Sequence, residues 1–456
     1  MLTEAESFLA KAQQQIATNG LDPQVSQWLE LGLRDALLRD GQRMLQALLN
    51  DRLLLPDDEP ARALEVRYTQ RAHRVQTLFG PISLKRSYYH HKRNGHGRCP
   101  LDEQLDLVRG HTPALAKLIC RASTQSSSFT EAAADLKAYS GVELDSRGFG
   151  RLVAQVAPTL RQALATLPPP EPAQKPPVEV IYISNDGTGV PMRKAELQGT
   201  KGKQPDGSAR TREVKLGCVF TQSGVDEKGE PIRDPESTSY VGTFEGCRAS
   251  GIQLHHEAHR RGYGTAKQVV CIGDGAAWVW ENMRLSFPGA QQILDFYHAS
   301  EHLGRLAQAL LGHATAEAKE RQHQWCHQLK HSDSHGIIQQ AEEELIAKHD
   351  ELTETQREDA RREISYFQTH AERTRYGDYR AHGWFIGSGV VEAGCKTVVG
   401  RRLKQSGMFW SQRGGEDLLT IRCLIMGPHF EAAWNARQPI LAQQRLKARR
   451  WSNQPN

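Results

Sequence analysis

Apolar residues make the first divisions along this chain. In "SQWLELGLRDALLRDGQRMLQALL", residues 26–49, they recur every three or four positions, which predicts an amphipathic helix. "ALEVRYTQRAHRVQTLFGPISLKRSYY", residues 63–89, alternates instead and reads as a short hairpin closed at Gly80-Pro81. Three helices are expected next: Thr112 to Ala122, one capped by Ser128 with Glu131 three positions on, and one starting near Asp145-Ser146. The last two flank "SGVEL" and suit a helix-turn-helix at about 128–155, although a plain helical bundle fits the same pattern.

The pattern changes after "LPPPEPAQKPPVEV", where six prolines fall between Pro168 and Pro177. Proline lacks the amide hydrogen that helices and central strands need, so this stretch predicts a stiff extended spacer. Beyond it "VEVIYISND" is a buried strand ending at Asp186, and "REVKLGCVFTQSG" alternates with Val214, Leu216, Cys218 and Phe220 on one face. "STSYVGTFEG" is a third strand. A helix from Arg248 to Arg261, the strand "KQVVCIGD", a helix from Ala276, the strand "QQILD" and a helix from Tyr297 complete the series. Three strands followed by alternating helix and strand describe an α/β (α+β) mixed sheet covered by helices. Residues 315–376 are almost all helix formers and charge, which predicts a helical insertion.

The resulting layout is a mainly helical region 1–166, a Pro-rich linker 167–177, a mixed-sheet domain 178–430 with an insertion at about 312–380, and a basic tail 431–456. At 456 residues the chain is long enough for two or three domains, each with its own core. A hydrophobic content of 38% and charged content of 24% are those of a globular protein and argue against a disordered or fibrous one. The net charge of +5 permits a polyanionic partner without requiring one. Eight scattered cysteines with no C-x-x-C pair, acidic residues near the start and no run of eighteen apolar residues point to a cytoplasmic protein without a membrane partner.

Candidate chemistry sits at strand ends. Asp186 is followed by Gly187, and Asp274 lies between Gly273 and Gly275. In this strand order the first and fourth strands are expected to be neighbours, which brings the two carboxylates to one edge. Paired carboxylates are costly without a cation, and hard oxygen ligands favour Mg²⁺ or Mn²⁺. Glu392, in the first turn of a helix begun at Gly387-Ser388, is the candidate third acid, with Lys396 one turn later. Arg401, Arg402 and Lys404 followed by Phe409 and Trp410 suit a phosphate backbone and an unstacked base. A rival reading places zinc on His298 and His302, which with Glu301 spell H-x-x-E-H on one helix face. His90, His91, His96 and Cys99 offer a second zinc arrangement, without a knuckle spacing.

Taken together, Asp186, "GDGA" at 273–276, "LDFYHASEHL" at 294–303, "GSGVVEAGCK" at 387–396 and "RRLKQSGMFWS" at 401–411 resemble bacterial insertion-sequence DDE transposases of the ISKra type, related to Mutator-like transposases. The resemblance runs from "GPISLKRSYY" to "GGEDLLTIR". It implies an RNase H-like catalytic fold, a triad of Asp186, Asp274 and Glu392 holding two Mg²⁺ (or Mn²⁺) ions, and Asp295 with His298 as a supporting motif. It also implies DNA contacts from Lys396, Arg401, Arg402, Lys404 and Trp410. The partners it implies are terminal inverted repeats, recognised by the amino-terminal helices, and target DNA, with a homo-oligomer on the DNA. Relatives carry paired cysteines where this chain has "HHKRNGH" and Cys99 alone, which argues against a structural zinc. A zinc-dependent hydrolase and a non-catalytic DNA-binding protein are the alternatives.

Overall fold

The computed structural model describes residues 3–57, 59–93, 95, 97–168, 178–197 and 210–452. The chain divides into two compact units, residues 1–159 with 439–456, and residues 160–438. The Pro-rich linker lies outside the described residues from position 169 on.

In the first unit α1 (Thr3–Asn19) packs on α2 (Pro23–Asn50), whose Asp40 carboxylate accepts the Glu4 and Ala5 N–H groups at the open start of α1. β1 (Glu65–Thr77) and β2 (Gly80–His91) form the expected hairpin, closed by Thr77 opposite Gly80. It is long rather than short, because the alternation continues through both charged halves. β3 (Gly97–Arg98), α3 (Pro100–Gln104), α4 (Pro113–Gln125), α5 (Phe129–Ser140) and α6 (Arg147–Thr166) follow. Ser128 caps α5 by accepting the Glu131 N–H, and Gly141 takes φ 73° just past its end. Six residues then lead to α6, longer than the three- or four-residue turn of a compact helix-turn-helix.

The second unit is built on β4 (Val180–Pro191), β5 (Thr211–Gln222), β8 (Ser239–Thr243), β9 (Gln268–Gly273) and β10 (Gln291–Leu294), with β6 (Gly224–Val225) and β7 (Pro231–Ile232) as a small separate ribbon. The sheet order is β10-β9-β4-β5-β8, parallel between β10, β9 and β4 and antiparallel from β4 to β8. In order of appearance the strands therefore lie 3-2-1-4-5, and the first and fourth are neighbours. Both faces are covered, which explains the near-continuous apolar text of β4. Ile181, Ile183, Val219 and Cys271 pack under α7 (Cys247–Arg260) and α8 (Ala277–Ser286). Tyr182, Cys218, Phe220, Val270 and Ile272 pack under α9 (Phe296–Leu311) and the insertion.

The insertion consists of α10 (Ala316–His331), α11 (His335–Ala347), α12 (Glu354–His370) and α13 (Tyr376–Ala381). Behind it come α14 (Gly389–Gly394), a π-helical turn over Cys395–Gly400, α15 (Arg401–Leu403), α16 (Gln412–Met426) and α17 (Phe430–Ser452). The expected basic tail is thus helical as far as Ser452. The expectation that the first strand stops at Asp186 is corrected: β4 stays paired with β5 for five more residues, Gly187 to Pro191. Its partner strand β5 continues, so the apolar run ends before the strand does.

At the end of α12, His370 is 5% exposed and its Nδ1 accepts from Arg373 Nη1 at 3.1 Å. Burial and then the Arg373 charge push the imidazole down to about 4. The folded protein keeps it neutral where the unfolded chain, with an ordinary value near 6.5, takes up a proton. Stability is therefore expected to fall as pH drops from about 6.5 to 4, by roughly 1–3 kcal/mol in total, and to level off below. Thermal melts of His370→Gln at pH 7 and 4.5 check this. The variant should lose less between the two pH values than the parent, and an equal loss would remove the assignment to His370.

Candidate functional site: a carboxylate edge beside an Asp-His pair

Register and pleat place the first two acids. Pairing of β4 with β9 runs from Val180 opposite Gln268 to Ser184 opposite Ile272. Two residues further on each chain are Asp186 and Asp274. Side chains two apart share a face, so Asp186 follows Tyr182, and Asp274 follows Val270 and Ile272, onto the face covered by α9. β9 ends here because the chain turns at Gly275, φ +99°, where a Cβ would strike the Tyr366 hydroxyl. Asp274 Oδ1 accepts the Ala276 N–H at 3.0 Å, and the Tyr366 hydroxyl donates to the Asp274 carbonyl at 3.3 Å.

Glu392 arrives on α14, which approaches the sheet closely because Gly394 lies where a Cβ would meet Tyr240 and Leu216. The Ser388 hydroxyl donates to Glu392 Oε1 at 2.8 Å and holds the carboxylate along its own helix. Electrostatics ties the three acids together. Burial first, and then the charges of Asp274 and Glu392, push the Asp186 carboxyl above its ordinary value, against hydrogen bonds from Cys395 and the Gly187 N–H. The Cys395 thiol is pushed up in turn by burial and by Asp186.

Beside this edge sits Asp295, wholly buried at the start of α9. Its Oδ1 accepts the His298 N–H at 2.8 Å and pairs with His298 Nδ1 at 3.1 Å, while Oδ2 accepts the Ser388 N–H. Burial alone would push this carboxyl up, but the bonds from His298 and Ser388 reverse that and hold it below its ordinary value. His298 is pushed up to about 9, chiefly by Asp295 and further by the Asp274 charge, so it is a cation at neutral pH. Ligand atoms of Asp295, His298 and Glu392 lie within 4.8 Å of one another, the one such group of three among the described residues. Asp186 and Asp274 stand outside that group.

The donor set bears on which metal fits. Asp186, Asp274 and Glu392 offer oxygen only, the chemistry of a hard divalent cation. The expected zinc pair of His298 and His302 is not assembled, and His298 Nδ1 is taken by Asp295. His302 is not grouped with it. Its Nδ1 meets Glu363 Oε2 at 2.6 Å, and its ring stacks on Tyr366 at 3.5 Å between centroids. Insertion helix α12 thereby props the turn that carries Asp274. His90, His91 and Cys99 form no ligand group, and His96 lies outside the described residues.

Of the residues expected on DNA, Lys396, Arg401 and Lys404 are exposed. Arg402 is corrected: it is 1% exposed, 5.3 Å from the Trp410 ring centroid and 3.5 Å from Met408 Sδ. Trp410 is half-buried and its indole N–H donates to the Leu403 carbonyl at 3.1 Å. Both side chains build the fold of this segment. Ser388, Tyr366 and Cys395 were not singled out by sequence. Only Ser388 carried a local signal, as the small polar residue at a helix start four positions before an acid.

Among the described residues no helix is long and apolar enough to cross a membrane. No curated protein matches the chain. The sequence pattern of an uncharacterised protein family, UPF0236, matches residues 27–429, and the chain belongs to that family.

Proposed function

We propose that this chain is a DNA transposase of the DDE kind, with an RNase H-like catalytic domain, that cuts the ends of an insertion sequence and joins the freed 3′-hydroxyls to target DNA. The observation that carries the reading is Asp186 and Asp274 at one level of adjacent parallel strands, with Glu392 near enough that both raise the Asp186 carboxyl. Three acids placed to repel one another are costly for a fold that gains nothing from them. The strand order 3-2-1-4-5 and the helical insertion before the last acid support the RNase H-like assignment.

Asp186, Asp274 and Glu392 would hold two Mg²⁺ or Mn²⁺ ions, which activate water and stabilise the departing 3′ oxygen. Ser388 fixes Glu392, Tyr366 steadies the Asp274 turn, and the His298 imidazolium faces the same edge with a charge suited to a phosphate oxygen. After the first cut the 3′-hydroxyl takes the place of water, and no covalent enzyme intermediate is needed.

The test is incubation of the full chain with linear duplexes covering the DNA on each side of its coding region. Discrete, Mg²⁺-dependent cuts are expected, with Glu392→Gln at least about a hundredfold slower and still bound to the DNA. Cutting that survives both chelation and Glu392→Gln would sink the proposal. Tight binding without any nick, even with Mn²⁺, would favour a non-catalytic DNA-binding protein.

A further inference from the structure

Beyond the carboxylate edge, the segment after α15 treats its two aromatics differently. Trp410 is fixed by its indole bond to Leu403 and by the Arg402 guanidinium, whereas Phe409 beside it is 48% exposed. This segment joins the end of β4. The Trp410 N–H donates to the Pro191 carbonyl at 3.1 Å, and the Arg193 N–H donates to the Trp410 carbonyl at 2.9 Å. Phe409 is thereby held beside the far end of the strand that carries Asp186, five to seven residues, roughly 20 Å, further along.

Exposed cations mark the distance between. Lys404 Nζ donates to the Thr188 hydroxyl. Thr188 lies two positions after Asp186 on the same face of β4, so the ammonium stands about one pleat repeat, roughly 7 Å, from the acid. Arg193 is exposed and its Nε donates to the Phe409 carbonyl at 3.4 Å, and its terminal nitrogens have no partner among the described residues. Acid, then ammonium, then guanidinium and exposed ring thus follow one another alongside β4 and the residues just after it.

We propose that Phe409 is the stacking platform for an unpaired base of the DNA strand leading away from the carboxylate edge, with Lys404 on the phosphates between and Arg193 on those beside the ring. The inference rests on the DNA-cutting reading above. An aromatic face accepts any base, because every base has a π-face, while cations along the groove supply the salt-dependent part of the affinity. Arg402, buried beneath, and half-buried Trp410 keep the platform rigid.

The test compares binding of the full chain to a twelve-nucleotide oligothymidylate and to a blunt duplex of the element's end, both without divalent cation. Phe409→Ala is expected to weaken oligothymidylate binding about tenfold and duplex binding less than twofold, with Phe409→Trp restoring the parent value. Arg193→Ala should weaken binding and lower the salt slope by about 0.7. Unchanged oligothymidylate affinity in Phe409→Ala, or equal weakening of single strand and duplex, overturns the platform. If the parent protein cuts its end duplex while Phe409→Ala binds and cuts like it, the platform alone fails. If the parent neither binds nor cuts DNA, the DNA reading fails with it.

Discussion

Asp186→Asn is expected to raise thermal stability while reducing Mg²⁺-dependent strand cutting at least about a thousandfold. The asparagine keeps the oxygen that accepts the Gly187 N–H at 2.6 Å and fits the same volume in the middle of β4. What it removes is a half-buried charge that burial, Asp274 and Glu392 all oppose. A carboxyl whose folded value is raised destabilises the fold at every pH above its ordinary value, so the neutral amide should gain about 1 kcal/mol near pH 7. Divalent cation separates this account from simple strain relief. Millimolar Mg²⁺ should raise the melting temperature of the parent protein, because only the folded chain assembles the three acids, and should leave Asp186→Asn nearly unmoved. A variant that melts lower than the parent without metal, or that still responds fully to Mg²⁺, would remove Asp186 from the ligand set.

The same acids show how far the sequence carries. Strand identity was legible because two-sided burial writes apolar runs, such as "VEVIYIS" and "QVVCI", and of the order only the adjacency of the first and fourth strands was expected. The meeting of Asp186 with Asp274 followed from strand order alone. The continuation of β4 past Asp186 was not legible, since "GTGVP" has no apolar run and is held in the sheet by β5, 20 to 28 residues away. Arg402 misled for a related reason. A cation in a basic run reads as surface, and only the fold reveals that an indole and a thioether enclose it. Tyr366 left no local trace at all: it reaches the Asp274 turn from a helix 92 residues downstream. Asp295 was read as a support for His298, and its second task, holding the Ser388 N–H, lies 93 residues away on the element that carries Glu392.

That second task makes Asp295→Asn the most damaging single-atom change expected in the second unit. Each carboxylate oxygen of Asp295 receives donors, Oδ1 from the His298 N–H and ring, and Oδ2 from the Ser388 N–H. Asparagine has one oxygen to offer, so its NH₂ must face either the Ser388 or the His298 donor inside a site with 0% exposure. It also leaves the His298 imidazolium without its counter-charge. Leaving a buried donor unpaired and weakening a half-exposed ion pair in this way costs about 2–3 kcal/mol, which for a unit of this size lowers the melting temperature by roughly 4–10 °C. His298→Gln should cost less, because Asp295 keeps its two backbone donors, the His298 N–H and the Ser388 N–H. The two variants therefore separate the roles. If Asp295 positions Glu392 through Ser388, then Asp295→Asn loses cutting and loses metal-induced stabilisation together, while His298→Gln slows cutting but still melts higher with Mg²⁺. Equal melting temperatures for Asp295→Asn and the parent, measured by calorimetry at pH 7, would refute the buried-hub account, because no rearrangement of one amide satisfies donors on both sides.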